Sequence, residues 1–334
     1  MTSTSQPIAL VIGATGGIGG EAASALVRHG WTVRGLTRRD QPAKAGIAWI
    51  AGDAMVAADV ARAAQGVSLI VHAANPPGYK DWDKLVLPML DNTIAAAKAN
   101  GARILLPGTV YNFGLDAFPL IDETAPQAPA TRKGKIRVEM ERRLKAASAD
   151  GAPVLIVRAG DFFGPHAGNN YFGQAVVKPG APPTSVTEPS AKGVSHAWAY
   201  LPDLAETMAR VLDRADRLGS FEVFHFSGHQ LAWGEVGASI RRVLGQPKLP
   251  IKAFPWWMIV ALSPVVPVFS EMAEMRYLWR EPMALIDGKL RAFLGEVPHT
   301  PLDVAVAVSL RGLGCLESHP VAGAPEAGRV ATQS

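Results

Sequence analysis

Residues 8–36 read IALVIGATGGIGGEAASALVRHGWTVRGL, and this stretch decides the fold. Ile8 to Ile12 is an apolar run of strand length, Glu21 to His29 has helical spacing, and Trp31 to Leu36 is apolar again. Strand, helix, strand in that order opens a parallel sheet, because two parallel strands need a crossover between them. The turn between strand and helix reads Gly13, Ala14, Thr15, Gly16, Gly17, Ile18, Gly19. Glycines at this spacing and in this context are the fingerprint of a dinucleotide site. Gly13 permits the tight turn, Gly16 lets a pyrophosphate approach the backbone, and Gly19 lets the helix pack on the strand. Free N–H groups and the positive dipole end at the helix start favour a phosphate, so Thr15, Gly17 and Ile18 count with the glycines as cofactor-binding positions.

The same rhythm continues outward. Further buried-strand candidates are 48–51, 69–73, 103–106 and 154–158, with helices over 54–64, 85–99 and 134–147. Six parallel strands predict an α/β fold: a Rossmann doubly wound parallel sheet with a smaller C-terminal substrate-binding lobe. A helix over 203–213 and an edge strand over 222–226 return to that sheet. The expected organisation is a disordered N-terminus over 1–7 and an NAD(P)-binding domain over 8–165, with 194–228 rejoining it. A lobe from 166–193 and 229–315 follows, with an amphipathic helix over 233–243, and then a disordered tail over 316–334. The substrate cleft is expected between the carboxyl edge of the sheet and the lobe.

Composition sets bounds on function. The 334 residues are 48% hydrophobic and 19% charged, an ordinary globular balance. The single cysteine, Cys315, allows neither an internal disulfide nor a cysteine-built metal site, and the eight histidines show no metal-binding spacing. A reducing compartment fits, and residues 1–7 lack a basic segment and an apolar core, so a cytoplasmic location is expected. The most apolar run, 253–269, contains Pro255, Pro264 and Pro267, and it reads as a buried helix and loop rather than a membrane span. A net charge of +4 from scattered basic residues suits an anionic small molecule, not a nucleic acid.

Arg38 and Arg39 stand at the end of the second strand, where an NAD site normally places an acid, and Asp40 lies just beyond. A guanidinium fork matches a 2′-phosphate, so NADP is preferred over NAD, with Arg38 as its partner. Asp53 after the third strand faces the adenine end, and Ala73 and Ala74 after the fourth line the cofactor.

The ordered motifs at 13–19, Gly52-Asp53, 71–74, Thr109-Val-Tyr111, Lys135 with Glu139, Arg158 to Pro165 and Tyr200 to Asp203 resemble the extended short-chain dehydrogenase/reductases, in particular their NAD-dependent epimerase/dehydratase branch. The resemblance runs from Ile8 to about Gly314 and implies a Rossmann domain with a small substrate domain. It also implies a serine and a Tyr-x-x-x-Lys pair, the tyrosine exchanging a proton with substrate and the lysine binding the nicotinamide ribose. Here the matching pentad is Thr131-Arg-Lys-Gly-Lys135, with threonine in place of tyrosine, and Thr109 supplies the only hydroxyl at the serine segment. A threonine hydroxyl has a pKa far above that of a phenol and cannot form an anion near neutral pH.

The expected catalytic set is Lys135 at the ribose, with Thr109 and Tyr111 near the nicotinamide and Thr131 holding a water through which one proton moves. The expected function is an NAD(P)-binding oxidoreductase or epimerase/dehydratase-like protein acting on a small substrate such as a nucleotide sugar or a carbonyl compound. A second reading is a nucleotide-binding sensor or assembly subunit that has lost turnover. The resemblance also implies that a homodimer, if formed, joins through helices 85–99 and 134–147.

Overall fold

The computed structural model describes residues 6–76, 82–166 and 170–317. Apart from Gln6, Pro7, Leu316 and Glu317, the segments expected to be disordered lie outside the described residues.

The strands are β1 (Ile8–Ile12), β2 (Thr32–Thr37), β3 (Ile47–Ala51), β4 (Leu69–His72), β5 (Arg103–Thr109), β6 (Leu120–Ile121), β7 (Val154–Ala159), β8 (Asp161–Phe163), β9 (Val186–Glu188), β10 (Ser195–Tyr200), β11 (Phe221–Phe226), β12 (His229–Ala232), β13 (Ile251–Ala253) and β14 (Ala284–Leu285). The helices are α1 (Gly17–Arg28), α2 (Ala57–Ala63), α3 (Trp82–Asn100), α4 (Arg132–Ala149), α5 (Leu201–Leu212), α6 (Glu235–Leu244), α7 (Trp256–Leu262), α8 (Pro267–Glu274), α9 (Gly288–Leu294) and α10 (Leu302–Gly312).

Seven strands form one parallel sheet in the order β11-β7-β5-β4-β1-β2-β3. Its central strands are buried on both faces, with Leu10, Val11, Ile70 and Val71 wholly inaccessible, and this is why they read as unbroken apolar runs. Helices α1 and α5 pack together against one face, and α2, α3 and α4 cover the other. From β1 the chain winds outward through β2 and β3, then crosses to β4 on the other side of β1. The carboxyl ends of β1 and β4 therefore diverge into a crevice.

Two expectations need correction. Of the segment 194–228, only β11 joins the central sheet; β10 pairs with β8 and β12 in a separate three-stranded sheet. The backbone turns out of the main sheet at Gly160, where a Cβ would lie 2.1 Å from the Ala197 carbonyl oxygen, so only glycine lets β10 come so close. The apolar run 253–269 is not one buried helix with a loop. It breaks near Ser263 and Pro264 into α7 and α8, with a proline in the first turn of α8, and Trp257 and Val265 are each 75% exposed.

Candidate functional site

The glycine turn sits in the crevice between β1 and β4. Gly13 has φ +92, and a Cβ there would lie 2.5 Å from the Ala73 carbonyl oxygen. A Cβ on Gly19 would lie 2.2 Å from the Gly13 carbonyl oxygen. Both positions are closed to any side chain, so the start of α1 lies tight against the end of β4. Gly16 is the N-cap of α1; its N–H donates to the Gly13 carbonyl at 2.9 Å, and no side chain caps the helix. The first-turn amides and the dipole end of α1 thus open onto the crevice, an arrangement suited to a phosphate.

A single cavity of about 690 Å³ runs from this turn towards α8. Thr15, Gly16, Gly17, Ile18, Arg38, Asp53, Ala73 and Ala74 all line it, together with Gly13 and Gly19. Arg38 is exposed and makes no hydrogen bond or ion pair among the described residues, whereas Arg39 and Asp40 stand outside the cavity wall. Asp53 accepts the Met55 N–H at 2.9 Å, and its own N–H donates to Asp59 at 3.0 Å. The Asp53 N–H first, and then the Arg62 guanidinium, hold the Asp59 carboxyl below its usual pKa.

The far end of the cavity is lined by His72, Thr109, Tyr111, Lys133, Arg137 and Glu271. The Thr109 hydroxyl oxygen accepts the Tyr111 N–H at 3.3 Å. Thr131 and Lys135 are not in the cavity wall. Thr131 is the N-cap of α4, its hydroxyl accepting the Gly134 N–H at 3.0 Å, and Lys135 is exposed on the outer side of the helix. The pentad is thus displaced by two residues: the pair one helical turn apart that faces the cleft is Lys133 and Arg137.

A buried ion pair further along α4 holds this phase. Glu141, four residues past Arg137 on the same helix face, accepts from Arg158 of β7 at 2.6 Å (Nη2) and 3.0 Å (Nε). The Arg158 Nη1 donates to His225 Nε2 at 3.1 Å, and His225 Nδ1 donates to the Ile121 carbonyl at 3.1 Å. With Glu141 against the sheet, 133 and 137 must turn inward and 135 outward.

Lys133 is almost wholly buried. Its Nζ lies 2.9 Å from a Glu271 carboxylate oxygen and donates to the Glu271 carbonyl at 2.8 Å. Burial pulls the Lys133 ammonium below its ordinary pKa, and Glu271 opposes that shift. Glu271 also pairs with Arg132, and Glu274 of α8 accepts the N–H groups of Arg132 and Lys133. The Arg137 guanidinium lies 5.0 Å from the Trp82 ring centroid. His72 is pulled down to about 3, first by burial and then by the Arg137 charge. The Thr93 hydroxyl gives its proton to the Met89 carbonyl at 3.1 Å, so it accepts from His72 Nδ1 at 2.8 Å, and the buried Nε2 is left as a bare acceptor with no partner among the described residues.

A family model described as the NAD dependent epimerase/dehydratase family matches residues 9–225, more than half of the chain. The chain belongs to that family.

The structure is similar to other proteins of this fold over nearly its whole length. MoeE5 in complex with UDP-glucose and NAD superposes with a TM-score of 0.70 at 17% identity, over 92% of this chain and 98% of that one. UDP-glucuronic acid 4-epimerase from Bacillus cereus in complex with NAD gives 0.71 at 16%, over 92% and 98%. UDP-glucose 4-epimerase from Bifidobacterium longum in complex with NAD+ and UDP gives 0.68 at 16%, over 91% and 97%. No curated protein matches the chain.

Within this family member the sequence reading missed Lys133, Arg137 and Glu271 as cleft residues. The local signal reaches only as far as Thr131: a threonine before a helix is a capping residue, which takes position 131 out of the helix. Asn170, Tyr171 and Gln174, at and around a turn of π-helix over Phe172–Val176, complete the wall, and Asn170 accepts the Gly173 N–H at 2.8 Å. His166, which follows the Gly164-Pro165 turn, bonds to Glu21 of α1 at 2.9 Å, and residues 167–169 beside it lie outside the described residues.

Proposed function

We propose that this chain is a cytoplasmic NADP-dependent oxidoreductase or epimerase/dehydratase that exchanges a hydride with a hydroxyl or carbonyl carbon of a small substrate, a nucleotide sugar or a carbonyl compound. The observation that carries this reading is the continuity of one cavity from the glycine turn to Thr109, Tyr111 and Lys133. A dinucleotide fits the residues present: the uncapped start of α1 meets a pyrophosphate, and the Arg38 guanidinium, with no other partner among the described residues, meets a 2′-phosphate. The bound cofactor supplies the hydride. The protein orients the substrate and moves one proton.

Thr109 offers its hydroxyl proton to a substrate oxygen, since it already accepts the Tyr111 N–H. Tyr111 adds a phenol at the same end. Lys133 replaces Thr131 in this assignment as the group that moves the proton, because burial lowers its pKa while Glu271 fixes its Nζ, and the ribose role expected of Lys135 passes to Arg137. Arg137, held over Trp82, is a fixed cation for the ribose or an anionic part of the substrate. The protein is proposed to act as a homodimer joined through α3 and α4, a state that sedimentation reads directly.

Fluorescence titration with NADPH and NADH, followed by turnover over carbonyl compounds and nucleotide sugars, tests the reading. Tighter binding of NADPH is expected. The Arg38→Ala variant should lose that preference by about tenfold, the worth of an exposed charge-assisted contact of roughly 1–2 kcal/mol. An unchanged NADPH to NADH ratio in the variant refutes the cofactor assignment, and binding without turnover across the panel refutes the enzyme assignment.

A further inference from the structure

Helix α7 is apolar on both sides. Its inner side is fixed to the body: Ile259 is buried, and the Trp256 indole donates to the Pro189 carbonyl at 2.8 Å. Its outer side carries Trp257, Val260 and Ala261, continued by Pro264 and Val265 in the turn, and all five are exposed. Positions 257, 260, 261 and 264 are spaced as one helical stripe, so the solvent-facing stripe is itself hydrophobic. An exposed apolar face of this kind marks an interaction surface.

Charge identifies the partner. Between Glu235 and Glu271 the chain has no acidic residue, while Arg241, Arg242, Lys248 and Lys252 are basic. Arg242 is committed to Asp303 and Arg241 to the Leu249 carbonyl. Lys248 and Lys252 are exposed and make no ion pair among the described residues, and β13, which holds Lys252, runs almost directly into α7. Unpaired ammonium groups shortly before an exposed tryptophan in the chain, with a short aliphatic stripe after it, are the composition of an interfacial membrane anchor. Among the described residues no helix is long and apolar enough to cross a membrane. A seven-residue helix lying in the headgroup layer needs no such length.

We infer that the outer face of α7 and the turn after it dock on an anionic phospholipid bilayer, with Trp257, Val260 and Val265 entering the interface and Lys248 and Lys252 meeting the headgroups. Cofactor binding does not enter this argument, and the docking stands or falls separately from it.

The test is co-sedimentation of the full chain with phosphatidylcholine vesicles and with vesicles that also contain phosphatidylglycerol. The wild type sediments with the anionic vesicles and far less with the neutral ones. Trp257→Ser with Val265→Ser weakens this by about tenfold or more, the worth of burying one large apolar side chain. Lys248→Gln with Lys252→Gln weakens it by about 25-fold, roughly fivefold per lysine at an anionic surface. All four positions are exposed, so both variants keep the wild-type melting curve. The inference is overturned if the wild type binds neither vesicle, or if the variants bind as well as the wild type. It is equally overturned if the wild type is an oligomer that Trp257→Ser with Val265→Ser converts to monomer without any vesicle binding, for the stripe is then an interface between copies of this chain.

Discussion

Replacing Arg158 by leucine is the most direct test of how α4 is held. The two side chains of the Glu141–Arg158 pair are only 5% and 3% exposed, so neither can turn to water when its partner is lost. The substitution removes two charge-assisted bonds, at 2.6 and 3.0 Å, and the bond to His225 at 3.1 Å. Glu141 then keeps one donor, the Gln127 amide at 3.1 Å. A buried carboxylate stripped of its cation costs about 3–5 kcal/mol. At roughly 2 °C per kcal/mol for a chain of this size, thermal unfolding followed by circular dichroism should fall by about 6–10 °C. Adding Glu141→Leu removes the orphaned charge and should bring the double variant back to within about 2 kcal/mol of the wild type. A single-variant loss below about 1 kcal/mol, the worth of an exposed pair, would show that this pair does not hold the helix phase, and the inward assignment of Lys133 and Arg137 would lose its support.

Two further outcomes follow from the site and the buried histidines. Lys133→Met should lower kcat by about 100-fold, the usual worth of a general acid or base, with NADPH affinity little changed. Lys135→Met should leave both quantities as they are; the reverse pattern would restore the unshifted pentad. Acid should destabilise the protein between pH 6.5 and about 4. His72 is pulled down to about 3, and His225 and His229 to about 4, mainly by burial. The unfolded chain therefore takes up protons below pH 6.5 that the folded chain refuses. Stability is complete above that pH and falls by about 1.4 kcal/mol per pH unit for each histidine below it. Denaturant midpoints that stay level between pH 6.5 and 5 would contradict this.

Much of this was legible in the chain itself. The central strands announce themselves because burial on both faces makes most of their positions apolar, and the glycine turn is legible because two of its positions exclude a Cβ. The pairing of Lys133 with Arg137 was harder to see, because Thr131 with Lys135 has the same four-residue spacing. The choice between them rests on Glu141 and Arg158, which meet only in the folded protein. Glu271 is 138 residues from Lys133 along the chain, and no local pattern connects them. The apolar character of residues 253–269 was plain, but which side of α7 meets the body depends on Pro189, supplied by a distant loop.

The clasp between α8 and the start of α4 carries a mechanical consequence. Glu271 holds the Lys133 ammonium while Glu274 holds the amides at the head of α4, so one short helix of the lobe grips both the reactive group and the element that presents it. Any outward swing of α8 releases both grips together. Lys133 then loses its counter-ion and its burial together; because burial is the larger influence on its pKa, exposure to water restores its hold on the proton, and it sits on a helix whose first turn has lost its acceptor. Closing the cleft and loosening that lysine's proton are therefore a single motion, and whatever presses on the lobe from outside also sets the charge inside.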